Sequence, residues 1–415
     1  MEQKQQKQGY TIVTYRVRLY DKHFFHLVKT KSVYEKVILH FLYILQKEPN
    51  LLAQSDFSLL RTLEVKCIGT KEMKAEGVLP EYPLKNLPKI PLYFRRSAIN
   101  AAIDLARKHI GKAGERPVTT KDVTHYPMIL YKGMYQNFTD NAIELKVFQE
   151  GKWVWITYRF SGRAFPKEAK KLSPMLFVDG KQAWLDVPIS IEVSDIRTVK
   201  ERMQEEKFFC AVSFPDNDAL AVAVIMTREG KEVEHLFFRG GKAKEAKRKK
   251  ILKQIQKSKC SRGTEQEAEK ENAHWYKKLH EVNRYYAHTI SKQILDYCLE
   301  RNIKLIVVPN YEKSIDFHNK QYLKTDVYRW LGRSIMNYLR YKAFQNGIVV
   351  TSVRPYHIAD RCSECGAVIS KYNEGHHASK KYYGGKLFLC PNGHKGNTAW
   401  NTAKNVGKRF LEYYE

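Results

Sequence analysis

Apolar and polar side chains alternate from Tyr10 to Leu19, which predicts a strand. From Ser32 to about Ile110 the spacing becomes helical. Val33, Val37, Ile38, Phe41 and Leu42 share one face, and a further helix opens after Pro88 and Pro91 with Arg95, Arg96 and Ser97–Ile103. From Thr124 to Ile191 the period is two, in runs such as Lys152–Phe160 and Met175–Val178 separated by glycine turns. This order predicts a β-barrel, residues 1–30 and 121–200, with a helical lobe inserted at 31–120. A charged stretch, Asp195–Lys207, leads to Phe208–Phe214, a strand of buried type, followed by strand-like Leu220–Met226 and His235–Arg239. A helix is expected over about Thr264–Arg301. The apolar run Lys304–Pro309 then reads as a parallel core strand, Asp326–Asn346 as a helix and Ile348–Val353 as a strand. The second half is therefore expected to be α/β, over 207–359 and 397–415, with a small separate module at 360–396. The expected class is multidomain α+β, with no internal repeat.

Composition changes this picture chiefly through charge. The 415 residues carry 72 Lys+Arg against 44 Asp+Glu, a formal charge of +28. Such a surplus implies a polyanionic partner, most simply nucleic acid bound through its phosphates. No apolar run approaches the ~20 residues of a membrane-spanning helix. The segment Met1–Gly9 is polar, unlike a signal peptide, so no membrane association is expected and the expected location is cytoplasmic. Aromatics make up 12%, with 26 Tyr, which suits base stacking as well as packing. Ten Lys/Arg and one acid, Glu245, fall between Lys242 and Arg262. That run, with Lys247, Arg248, Lys249 and Lys250 at its centre, either lines a nucleic-acid channel or is a solvated charge run. Arg95 and Arg96 either contact phosphate or flank a core helix.

Three of the seven cysteines cluster with a histidine. Cys362 and Cys365 form one knuckle, with Gly366 easing the turn, and Cys390 and His394 form a second around Gly393. Two tight knuckles supply the four ligands of tetrahedral Zn²⁺. His376 and His377 compete with His394 for the fourth place. Cys67, Cys210, Cys260 and Cys298 are scattered, the pattern of a reduced chain with one metal site and not of a disulfide framework.

Three segments then fall in order: Phe208–Phe214 followed by Leu220-Ala221, Leu305–Val308 followed by Pro309-Asn310, and the cysteine cluster followed by Asn401-Thr-Ala-Lys-Asn405-Val. Between the first two lies a basic helical segment with Asn283-Arg284. This order resembles the transposon-encoded TnpB family and the miniature type V CRISPR effectors related to it. The resemblance is strong from about Phe208 onward. It is weaker before that, resting on the opening strand, on Pro91–Asn100 and on Tyr126–Gly133. It implies a wedge-like barrel with a recognition lobe, then an RNase H-like RuvC domain carrying a zinc ribbon. Members carry an Asp, a Glu and an Asp that hold two Mg²⁺ ions for phosphodiester hydrolysis. Aligned on the motifs, those positions are Phe214, Pro309 and Ala399, all apolar. Asp216, Asp218 and Glu312 lie two to four residues from the expected places, too far in an extended chain for a two-metal site. Asp216-Asn-Asp218 reads as a polar turn, and His288 as a packed helix residue.

The resemblance with its carboxylates missing implies an RNA-guided double-stranded DNA-binding protein without nuclease activity, in which guide pairing reads sequence. Zn²⁺ is expected and catalytic Mg²⁺ is not. The expected partners are guide RNA and target DNA, contacted through Arg95, Arg96, Lys247, Arg248, Lys249, Lys250 and Arg284. A transcription or transposition protein and a homodimer are further candidates, in a nucleoid-associated, prokaryotic setting. Target occupancy would repress transcription, or binding would recruit the partner. The alternatives are an active guided endonuclease with a displaced acidic site and a non-guided nucleic-acid binder.

Overall fold

The computed structural model describes residues 9–20, 23–84, 89–109, 118–166, 170–179, 182–215, 217–260, 265–310, 326–375 and 385–414. The chain divides into two compact units, 12–191, and 1–11 with 192–415.

The first unit begins with β1 (Gly9–Tyr20) and continues through α1 (Phe24–Lys47), α2 (Asp56–Ile68), α3 (Lys71–Ala75), α4 (Leu92–His109) and α5 (Thr120–His125). Strands β2 (Met128–Ile129), β3 (Tyr135–Gln136), β4 (Ala142–Gln149), β5 (Lys152–Gly162), β6 (Lys170–Lys171), β7 (Met175–Asp179) and β8 (Gln182–Val193) follow. They form one sheet in the order β2-β7-β8-β1-β5-β4-β3, with β6 also paired to β8. The expected barrel is thus a curled sheet whose hydrogen-bonded path ends at β2 and β3. The β4–β5 hairpin turns on Glu150 and Gly151, both at positive φ (46° and 84°), as a two-residue turn matched to strand twist requires.

The helices cover this sheet. Tyr34 of α1 shares a hydrogen bond with Ser97 of α4 at 2.9 Å and meets Phe94 edge-on. The first long helix starts at Phe24, before the expected Ser32, because its first turns bury a lysine. Lys31 is only 5% exposed and donates to the Tyr126 carbonyl, with burial holding its pKa down. A charged residue on the inner face interrupts the apolar spacing there.

The second unit contains α6 (Val199–Glu205), β9 (Phe208–Ser213), β10 (Ala219–Thr227), β11 (Glu232–Arg239), α7 (Gly241–Cys260) and α8 (Glu265–Glu300). Then come β12 (Leu305–Pro309), α9 (Asp326–Gln345), β13 (Val349–Val353), β14 (Ser370–Tyr372), β15 (Leu387–Leu389), β16 (Lys395–Asn397) and α10 (Thr398–Leu411). Five strands form a sheet in the order β11-β10-β9-β12-β13. The pairs within β9–β11 are antiparallel, and β12 is parallel to both its neighbours. One face packs on α8 and α9 through Cys210, Val212, Ile306 and Val308. The other packs on α10 through Phe209, Ala211, Leu305 and Val307. Strands buried on both faces explain the unbroken apolar runs in the sequence.

The stretch Asp195–Lys207 is less polar in context than its composition suggests. Thr198 and Glu201 form a capping box for α6. Arg202 is fully buried and donates to the carbonyls of Asp195, Arg197, Lys304 and Gly347. One guanidinium therefore ties the chain before β9 to the turns before β12 and β13.

Candidate functional site

The metal cluster forms as the spacing predicts. Cys362, Cys365, Cys390 and His394 bring one ligand atom each within 4.8 Å of one another. The Cys365 and Cys390 sulfurs are 3.7 Å apart, and the Cys390 sulfur is 3.2 Å from Nδ1 of His394. Zn–S bonds of ~2.3 Å at tetrahedral angles place sulfurs about 3.8 Å apart, which the Cys365–Cys390 separation matches. Each knuckle is closed by its own backbone. Gly366 N–H donates to Cys362 O and Gly393 N–H to Cys390 O, with both glycines at positive φ (73° and 86°). Backbone donation from Ala367 leads the effects that draw the Cys365 thiol down to about 6, while burial pushes that of Cys362 up. His376 and His377 lie outside the described residues.

The motif after the cluster proves to be a clamp. Asn397 caps α10, accepting from the Ala399 and Trp400 amides. Asn401, Lys404, Asn405 and Lys408 then fall on one helical stripe facing the first knuckle. Asn401 is fully buried; its side chain accepts from Ser363 N–H at 2.8 Å and donates to Arg361 O at 2.7 Å. Asn405 donates to Ile358 O and Arg361 O, and Lys408 to Ser363 O. Lys404 pairs with Glu364 and with Glu232 of β11, and its ammonium holds the Glu364 carboxyl below the usual range. The Asn-x3-Asn spacing thus positions the cysteine knuckle on the sheet. Asn401→Ala strands the buried Ser363 amide, at about 1–3 kcal/mol, while the Arg361 carbonyl keeps Asn405. The variant is expected to lose zinc to a chelator at least several-fold faster than the parent, measured by a colorimetric zinc dye.

At one corner of the five-stranded sheet the aligned positions separate by face. β12 and β9 pair with Val307 opposite Ala211, which places Pro309 level with Ser213, and both point to the α10 face by strand alternation. Ser213 Oγ donates to the Ala399 carbonyl at 2.8 Å. Phe214 instead lies on the opposite face, where a Cβ added to Gly332 of α9 would stand 3.1 Å from its own Cβ. The residues that share the corner are Ser213, Pro309 and Ala399, not Phe214. A one-residue step in a strand reverses the face, which motif spacing does not report. Asp218 uses its carboxylate to accept from the Lys242 amide at the start of α7. Asp216 and Glu312 lie outside the described residues. Beside the corner, a groove of about 1090 Å³ is lined by Asn310, Arg354, Tyr356, His357, Tyr413 and Tyr414 among others.

The basic candidates separate by environment. Arg95 and Arg96 both close on Glu64, at 3.0 Å each, with the Arg95 side chain 15% exposed and that of Arg96 41%. Both are ion-paired on α4 in this structure. The run after Lys242 is the helix α7, with Ile255 buried. Lys247, Lys249 and Lys250 are exposed, whereas Arg248 pairs with Glu245. Arg284 is exposed on α8. His288 stacks on Tyr338 at 3.8 Å, and burial holds its pKa down.

Comparison with known proteins follows the same division. Residues 333–406 match the Cas12f1-like, TNB domain family, and residues 11–149 match the Aq_aa04 family. No curated protein matches the chain. The fold is similar to that of Cas12f1 in a Cas12f1-sgRNA-target DNA complex, at 14% identity and a TM-score of 0.52. That match covers 96% of this chain and 98% of the other. Alicyclobacillus acidoterrestris C2c1 with single-guide RNA overlaps more loosely, at 9% identity and a TM-score of 0.48, over 94% of this chain and 69% of that one. Residues 333–406 thus match a Cas12f1-like TNB domain, within a chain whose fold is similar to that of Cas12f1.

Proposed function

We propose that the protein is an RNA-guided, double-stranded DNA-binding protein that does not cut its target. The observation that carries this reading is the corner formed by Ser213, Pro309 and Ala399. Two-metal hydrolysis needs carboxylate oxygens that hold both ions, and the two apolar side chains offer none. The one polar side chain, Ser213, is neutral and already donates to a carbonyl. Among the described residues the nearest acid in sequence, Asp218, is engaged as a helix cap. Binding does not depend on that corner. Guide pairing carries sequence recognition, and lysines meet phosphate.

The zinc ribbon has a structural role in this reading. Bound Zn²⁺ would link Cys362, Cys365, Cys390 and His394. Asn401, Lys404, Asn405 and Lys408 hold the first knuckle against α10. Occupancy of a target would act by blocking transcription or by recruiting a transcription or transposition protein, and a homodimer is one assembly in which it would do so. Domain limits of 1–30 with 121–200, 31–120, 207–359 with 397–415, and 360–396 accompany the proposal.

Purification from the native host followed by sequencing of bound RNA tests it. A discrete RNA is expected, and the complex should shift only DNA that matches that RNA. Equal affinity for matched and unmatched DNA would replace the guided reading with non-guided binding. The lysines give a second expectation. Replacing Lys247, Lys249 and Lys250 by Gln should reduce the slope of log affinity against log salt by roughly 0.7–0.9 for each ammonium that neutralises a phosphate. An unchanged slope would assign these side chains to solvent.

A further inference from the structure

We propose that the cleft between α7 and α8 is a single-nucleotide site that receives one unpaired base. The inference rests on the nucleic-acid reading above and names a ligand and residues that the reading does not. The open cleft offers about 440 Å³. Pockets for small ligands run from roughly 300 to 1,000 Å³, so the space is of a size for one nucleotide. Its floor is apolar, built from Ile251 of α7 and Val282, Tyr285 and Tyr286 of α8. Its rim carries Lys247, Lys250 and Lys278 against a single acid, Glu281.

Two features fit a base better than another apolar ligand. Tyr285 is 59% exposed on a helix whose neighbours Tyr286 and Ala287 are buried, so its ring is presented to solvent over a packed base. An exposed aromatic ring on a rigid helix is a stacking platform that accepts any base. The ammonium of Lys247 already sits 5.5 Å from the Tyr285 ring centre and 5.6 Å from that of Tyr286. A nucleotide stacked on Tyr285 places its own phosphates beside this ammonium, and Lys250 and Lys278 flank the same opening. An apolar peptide side chain would fill the floor but leave the three lysines without a counter-charge. The net charge of +28 points the same way.

The sequence concealed the site because its parts come from two helices. Lys247 and Lys250 were visible as a charge run. Tyr285 stands among other tyrosines, and only the packing of α7 on α8 brings them together.

The purified full-length protein is mixed with 12-residue single strands, one of RNA and one of DNA, each carrying 2-aminopurine at a central position. Stacking on Tyr285 is expected to quench the emission of the probe. Tyr285→Leu should abolish the quenching and weaken binding by about ten-fold while keeping the salt slope. Tyr285→Trp should retain both. Lys247→Gln with Lys278→Gln should lower the salt slope and leave residual quenching. Quenching with RNA alone assigns the site to the guide, and quenching with DNA alone to a DNA strand; either supports the inference. Tyr285 is exposed, so the leucine variant should keep its helical circular dichroism. Unchanged quenching and affinity in folded Tyr285→Leu would overturn the site, and so would binding lost only in the lysine variant. Neither result bears on guide-dependent binding, which the bound-RNA experiment measures separately.

Discussion

One zinc ion per chain is expected in the purified protein, and its removal should unfold the module from Tyr356 to Asn397. The four ligand atoms lie within 4.8 Å, and among the described residues the module's own apolar interior is small. Its own buried apolar cluster consists of Cys362, Ile369, Phe388 and Cys390, two of which are ligands. Strands β14, β15 and β16 have three residues each. Sites of this kind contribute an apparent ~10–16 kcal/mol of metal-binding free energy near neutral pH, which is then folding free energy. Cys362→Ser should leave zinc substoichiometric by elemental analysis. It should also open Cys390–Thr398 to amide hydrogen exchange. The loss should spread to α10, because Asn401 and Asn405 bond to the knuckle backbone. Full zinc content in Cys362→Ser would assign the metal elsewhere.

The second large effect concerns restoration of chemistry. Ser213→Asp, Pro309→Glu and Ala399→Asp together would set three carboxylates at one corner, because Ser213 and Pro309 are level on one face and Ser213 bonds to the backbone of Ala399. Substituting Phe214→Asp in place of Ser213→Asp should fail. Phe214 packs against the α9 side of the sheet, close to Gly332, and a carboxylate there loses apolar packing and gains an unpaired charge. That change should cost about 2 kcal/mol or more, read as a lowered denaturation midpoint. The Ser213 triple variant should bind Mn²⁺ in a calorimetric titration, while the parent and the Phe214 variant should not. Equal Mn²⁺ binding by all three would contradict the geometry of the corner.

The sequence carried much of this account in its unbroken runs. The strands β9, β10 and β12 are almost wholly apolar, so their existence was legible without any contact information. The zinc ligands were legible because a metal demands fixed residue types at short spacing. Side-chain direction was not. The choice between Ser213 and Phe214 depends on one residue of register at the end of β9, where a terminal strand residue gives no periodic signal. Lys31 and Arg202 were hidden for another reason. Each is charged and buried, and each is satisfied by carbonyls far away in the chain. Arg95 and Arg96 looked available because their partner, Glu64, lies on a different helix. The clamp made by Asn401 and Asn405 was visible as a motif, but its partner, the backbone of Arg361–Ser363, could be known only from the fold.

The central claim is that recognition is retained while cleavage is absent. The most direct measurement incubates the protein with its bound RNA and a matched, end-labelled DNA duplex in Mg²⁺ and then in Mn²⁺, with binding followed in the same samples. The account predicts a fully shifted duplex with both strands intact. Guide-dependent cuts that disappear on Asp216→Ala or Glu312→Ala would contradict it and show that a displaced set of carboxylates keeps the enzyme active.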